Sequence, residues 1–214
     1  MTPARPTVSV VVPVLDDAEH LRVCLALLAA QSRPALEVVV VDNGCVDDSA
    51  VLARAAGARV VHEPRRGVPA AAAAGLDAAV GELLVRCDAD TRMPADWLER
   101  IVARFDADPG LDALTGPGTF HDQPGLRGQV RAALYTGAYR WGAGAAVAAT
   151  PVWGSNCALR AEAWQAVRTR VHRERGDVHD DLDLSFQLAL AGRRIRFDPC
   201  LLYTSDAADE GLGV

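Results

Sequence analysis

A chain of 214 residues, half of them hydrophobic, is long enough to bury a substantial core and is read as one folded unit. Its formal charge is −6, and all 22 of its basic residues are arginine. A general nucleic-acid binder would show a basic face, so no nucleic-acid partner is expected, although a local arginine cluster facing phosphate stays open.

Five cysteines (Cys24, Cys45, Cys87, Cys157 and Cys200) form no Cys-x-x-Cys pair. That argues against a zinc or disulfide framework and for a reducing compartment. No run reaches the roughly 18 apolar residues of a membrane span. Val8 to Leu15 is too short for a signal segment and leads into Asp16 and Asp17. A cytoplasmic protein is expected, with peripheral association at the inner face of a membrane left open and the oligomeric state not set by the sequence.

In chain order, Val8 to Pro13 and Glu37 to Asp42 read as strands, and their valine runs imply burial on both faces. Between them Leu21, Leu25 and Leu28, with Cys24 beside them, fall at helical spacing. Asp47 and Asp48 cap a helix reaching Ala56, ended by Gly57. A short strand follows over Arg59 to His62, then an alanine-rich helix over Pro69 to Val80 and a strand over Glu82 to Cys87. Pro94 suits the first position of a helix running to Phe105. Ala113 to Thr115 reads as a strand, followed by a loop to about Gly125 and a helical stretch from Leu126 to Ala149. Trp153 to Arg160 is a strand or a loop, and a helix begins at Ala161. Asp181 to Ala191 is an amphipathic helix stopped by Gly192, and Arg194 to Phe197 is the closing strand.

Strand–helix alternation of this kind predicts an α/β fold, a Rossmann-like and mainly parallel sheet flanked by helices in a single domain. Ligands in such sheets bind beyond the carboxyl ends of strands. Three polar clusters lie at such ends, over Pro13 to Asp17, Asp42 to Gly44, and Asp88 to Asp90. An Asp-x-Asp pair after a buried strand can hold a hard divalent cation, Mg²⁺ or Mn²⁺, which in turn holds a diphosphate. The plainer readings are a solvated turn at Asp88–Asp90, a capped Asn43–Gly44 turn for Asp42, and helix-start acids for Asp180, Asp181 and Asp183. His179 reads as a surface or capping residue, and Tyr135, Tyr139 and Trp141 as packing aromatics.

Val8-Ser-Val-Val-Val-Pro-Val-Leu-Asp-Asp17, Val40-Val-Asp-Asn-Gly-Cys-Val-Asp-Asp-Ser49, Asp88-Ala-Asp-Thr91, Gly154-Ser-Asn-Cys-Ala-Leu-Arg160 and Asp180-Asp-Leu-Asp-Leu-Ser185 follow one another in the order of a known family. From Val8 to Pro199 the chain resembles a family 2 glycosyltransferase of GT-A fold. The resemblance implies an inverting, metal-dependent enzyme of the hexosyltransferase type. It would move a sugar from a nucleotide-diphosphate sugar to a glycan, lipid-linked or small hydroxyl acceptor in polysaccharide, glycolipid or cell-envelope synthesis. Carried over by position, Pro13, Leu15, Asp17, Asp42 and Asp88 would bind the donor, and Asp90 with Asp88 the metal. Asp181 would be the catalytic base, with Gly154, Ser155, Asn156 and Asp180 on the acceptor side. Asp180 replaces the family's Glu. Ala71 to Gly75 stands where many relatives carry Ala-Arg-Asn-x-Gly, and Arg65 or Arg66 is the nearest substitute for the lost charge. A non-catalytic nucleotide-sugar-binding module of the same fold is the alternative. A nucleotidyltransferase would want a glycine-rich basic loop after the first strand, which Val14 to Glu19 does not offer.

Cys200 to Glu210 resembles a translated sequencing adapter, so residues 200–214 are expected to be a non-native tail. The glycosyltransferase domain is then residues 1–199, with the natural chain expected to continue past Pro199. Many relatives place a metal-completing His in the region that this tail takes up.

Overall fold

The computed structural model describes residues 5–120, 149–174, 178–201 and 203–205, with positions 134, 137–138, 141–142 and 144–145. The first half runs β1 (Val8–Val14), α1 (Ala18–Ala29), β2 (Glu37–Asp42), α2 (Ser49–Ala55), β3 (Arg59–His62), α3 (Val68–Ala78), β4 (Leu83–Arg86) and α4 (Trp97–Ala107). After it come β5 (Ala113–Thr115), β6 (Gly118–Phe120), a 3-10 turn over Gly154–Asn156, β7 (Cys157–Arg160), α5 (Ala161–Val167), α6 (Asp180–Leu190), β8 (Ile195–Phe197) and β9 (Tyr203–Ser205). The helix expected over 126–149, with Tyr135 and Tyr139, falls almost wholly outside the described residues.

Seven strands form one sheet in the order β3-β2-β1-β4-β7-β5-β8. β1 is parallel to β2 and β4, β2 to β3, and β5 to β8, whereas β7 runs antiparallel to both neighbours. This is the mixed, mainly parallel sheet that the alternation of elements predicts. Successive strand side chains point to opposite faces. Val10, Val12 and Val14 therefore join Leu21 and Leu25 of α1 and Ile101 and Phe105 of α4. Val11 joins Ala71 and Leu76 of α3, Trp164 of α5 and Leu188 of α6 on the other face. Helices cover both faces, so a valine on either side is buried, at about 1.5–3 kcal/mol each. That is why the strands read as unbroken apolar runs.

The alanines of α3 let the helix lie close on the sheet. Ala70 to Ala73 are buried, and a Cβ at Gly75 would run into Val11 Cγ1 and Val41 Cγ2. From β1 the chain winds outward to β2 and β3, and α3 then returns it to β4 on the other side of β1. Strand order reverses between β1 and β4, and a crevice opens at such a switch point beyond the strand ends.

Two local details differ from the sequence reading. α4 starts at Trp97 rather than Pro94. Gln31, just past α1, donates from Nε2 to the Pro94 carbonyl at 2.9 Å and accepts from the Leu98 amide at 3.1 Å. This satisfies a helix-start amide and holds 94–96 as a turn. Within the stretch read as a loop, β6 pairs in parallel with β9. Leu201, the second residue past the Pro199–Cys200 boundary, is 2% exposed, and its carbonyl accepts from Asn156 Nδ2 at 2.7 Å.

Candidate active site: two cavities with one shared wall

At the β1/β4 switch point a cavity of about 370 Å³ is lined by Pro13, Leu15, Asp17 and Asn43, together with Gly67, Val68, Ala71 and Asp88–Asp90. A second, of about 380 Å³, is lined by Arg86, Trp153, Gly154, Ser155, His179, Asp180 and Asp181. Gly67, Val68, Asp88 and Asp90 line both. The Asp-x-Asp pair is thus a partition between two chambers. Four of the five expected donor residues, Pro13, Leu15, Asp17 and Asp88, open on the first. Gly154, Ser155, Asp180 and Asp181 open on the second.

The partition is built by the end of β4. The Cys87 amide still donates to Val11 O at 3.2 Å, which holds the chain beside β1. A small turn follows, in which the Asp88 amide donates to Thr91 Oγ1 and the Thr91 amide to Asp88 O, both at 3.1 Å. Asp90 is 4% exposed. Desolvation in the crevice raises the Asp88 carboxyl above its ordinary value; Arg86 pulls it down, and Asp180 and Asp181 add to the rise. Carboxylate oxygens are the ligand type that a hard divalent cation takes, and Asp88 and Asp90 both line the partition. The donor set of Asp88 and Asp90 therefore fits Mg²⁺ or Mn²⁺.

Across the second chamber, Asp180 and Asp181 occupy the first turn of α6, where the helix dipole favours negative charge. The Leu182 amide donates to Asp181 Oδ1 at 2.7 Å. Asp183, the third acid, faces away into structure. It accepts from the His172 amide at 2.6 Å and lies 2.9 Å from His172 Nδ1. His179 stands at the cap position of α6 and lines the second chamber.

Two expected site residues are not among the lining residues of either chamber. Asp42 Oδ1 accepts from the Gly44 and Cys45 amides at 3.1 and 2.8 Å, with His62 Nδ1 3.4 Å from Oδ2. Against its partial burial, these bonds hold the carboxyl below the ordinary range. It caps the turn, and the neighbouring Asn43 lines the first chamber. Asn43 itself clamps the 63–67 loop, donating to Glu63 O and Arg65 O and accepting from the Gly67 amide. Asn156 is fully buried. Its side chain accepts from Trp97 Nε1 at 3.1 Å and donates to Leu201 O, and its carbonyl accepts from Thr115 Oγ1 at 2.9 Å. It joins α4, β5 and the 198–201 segment beneath the acceptor-side loop. Arg65 and Arg66, the nearest substitutes for the absent family arginine, are likewise not among the lining residues of either chamber. Arg65 pairs with Glu63 and Glu174, and Arg66 donates to Gly44 O.

Arg86 is the site residue that sequence reasoning passed over. It is 4% exposed and donates to Asp180 through Nη1 and to Asp88 Oδ1 through Nη2 at 3.4 Å. Although desolvation disfavours its charge, these two carboxylates push its pKa above the ordinary arginine value. The signal available in the sequence was a charged residue inside an otherwise apolar strand. Separately, Asp16, Cys45 and Asp47 gather ligand atoms within 4.8 Å of one another at the rim. The carboxylates there accept from the Val46, Ala18 and Ser49 amides, so the group fastens turns.

The sequence model of Glycosyl transferase family 2 matches residues 9–176. The chain belongs to this family. An uncharacterized glycosyltransferase of Mycobacterium bovis is 41% identical over 113 residues, covering 53% of this chain and 49% of that protein. An undecaprenyl-phosphate 4-deoxy-4-formamido-L-arabinose transferase of Pseudomonas paraeruginosa is 36% identical over 117 residues, covering 50% of this chain and 34% of its own length. The chain thus spans half or less of the length of these two relatives. Among solved structures, the mannosyltransferase from Pyrobaculum calidifontis, in complex with GDP-Man and Mn²⁺, superposes with a TM-score of 0.74 at 24% identity. That likeness covers 98% of this chain and 59% of the mannosyltransferase, and the fold is GT-A. Among the described residues, no helix is long and apolar enough to cross a membrane.

Proposed function

We propose that this family 2 chain transfers a sugar from a nucleotide-diphosphate sugar to a hydroxyl acceptor, with inversion at the anomeric carbon. The observation that carries the reading is the shared wall. A donor lying in the Pro13–Leu15–Asp17 chamber would present its diphosphate at Asp88 and Asp90, and its anomeric carbon toward the chamber that holds Asp181. The GDP-Man and Mn²⁺ in the mannosyltransferase of like fold support the same ligand classes here.

Asp90 and Asp88 would hold the cation, Mg²⁺ or Mn²⁺, which supplies Lewis-acid stabilisation of the departing diphosphate. Pro13 and Leu15 wall the nucleotide, and Asp17 offers a carboxylate to its ribose. Asp181 accepts the proton of the acceptor hydroxyl as that oxygen bonds to the anomeric carbon and the bond to diphosphate breaks. Gly154 and Ser155 line the acceptor's approach. The pseudomonad relative's name pairs a sugar with a polyprenyl phosphate, which supports a cell-envelope setting at the inner face of the membrane; the acceptor inferred for this chain is the hydroxyl of a glycan or of a lipid-linked sugar.

The test is a panel of nucleotide sugars, each with Mn²⁺, with Mg²⁺ and after chelation, followed by the anomeric configuration of the product. Cation-dependent consumption with an inverted product is expected. Binding without turnover across donors and acceptors would favour the non-catalytic module, and a retained configuration would contradict the single displacement.

A further inference from the structure

Asp88 ends the donor side and Asp180 opens the base-bearing helix, 92 positions later in the chain. One buried guanidinium touches both. Gly154 lies against the same group: a Cβ there would stand 3.0 Å from Arg86 Nη1 and Nη2 and 3.1 Å from Cζ. A side chain at residue 154 would press on the guanidinium, so the loop packs closely against it. Arg86 Nε is buried with no hydrogen-bond partner among the described residues, a cost tolerated by a fold that aims the two terminal nitrogens at two carboxylates. A planar fork can hold two acceptors in fixed directions, which an ammonium cannot.

We propose that Arg86 is a positioning residue that sets the reach between the Asp88–Asp90 partition and Asp181. It bridges the end of β4 to the first turn of α6, and Asp180 is its anchor on that helix rather than a contact for the acceptor. The inference rests on the transferase reading for its kinetic consequence and on the bridge alone for its structural one.

Arg86→Lys in the full chain keeps the charge and loses the fork. The donor KM is expected to stay within about threefold, while kcat for transfer falls at least about tenfold. The amide of Asp183, which donates to His179 O in the first turn of α6, should exchange with solvent at least about tenfold faster. The amide of Leu76, in α3, should keep its rate. Arg86→Met removes the charge as well and should lose more kcat; where it fails to fold, the lysine variant decides. Unchanged kcat and unchanged exchange at Asp183 would overturn the proposal. So would faster exchange at Leu76 to the same degree, since that marks a general loss of stability. Should the wild-type chain transfer sugar from no donor, the transferase reading fails, and exchange at Asp183 still judges the bridge.

Discussion

The half of the molecule around β1 to β4 and the half around β5 to β9 reach the same site by different means. In the first, each site residue follows directly on a strand that its own neighbours specify. Pro13 sits at the end of β1, Leu15 and Asp17 follow it, and Asp88 and Asp90 follow β4, so local chain direction delivers them. In the second, the strands are short, β7 is antiparallel, and the acceptor-side loop is held from below by partners distant in sequence. Asn156 reaches Trp97, Thr115 and Leu201, while the Ser185 hydroxyl accepts from the Val152 amide at 2.8 Å. The first chamber can thus be encoded by the ends of strands adjacent in the sheet, whereas the second depends on tertiary clamps that no short motif contains.

Three substitutions break or sharpen that contrast. The largest effect is expected for Asp90→Ala, on the partition itself. Cation-dependent binding of a nucleotide sugar should disappear in a titration with and without Mn²⁺, while thermal unfolding stays near wild type. Next comes Asn156→Ala, which leaves the Trp97 indole N–H and the Leu201 carbonyl without their partner. At about 1–3 kcal/mol for each buried group left unpaired, denaturant unfolding should show a loss of about 2–6 kcal/mol, with donor affinity kept in the folded fraction. The smallest effect is expected for Asp42→Ala, which loses a turn cap worth about 1 kcal/mol and leaves donor affinity within about threefold. A drop in affinity of tenfold or more with the fold intact would return Asp42 to the donor site.

The elements were legible where period and punctuation agree. Valine runs gave β1 and β2, Leu21, Leu25 and Leu28 gave α1, and Gly57 and Gly192 ended helices with φ of 82° and 68°. β2, β3 and β5 fall at the boundaries the residues suggest. Asp42 and Asn156 show where motif position and structural use part. The resemblance leads one to expect ligand contacts at both; the structure shows Asp42 accepting from the Gly44 and Cys45 amides and Asn156 from the Trp97 indole, and neither among the lining residues of either chamber. Arg86 was illegible for the opposite reason: its meaning lies in Asp180, which only the folded sheet brings to it. The α4 start was misjudged because Pro94 suits a first helical turn, and the competing clamp from Gln31 is a tertiary contact.

The central claim is that the two chambers do separate work across one partition, with donor binding on one side and proton removal on the other. Asp181→Asn tests it most directly, with donor affinity and transfer rate measured on the same preparation. Donor affinity within about threefold of wild type together with a kcat lower by about 10²–10⁴-fold is the result the account predicts. Transfer that persists within about tenfold of wild type, or donor affinity lost along with it, would contradict it.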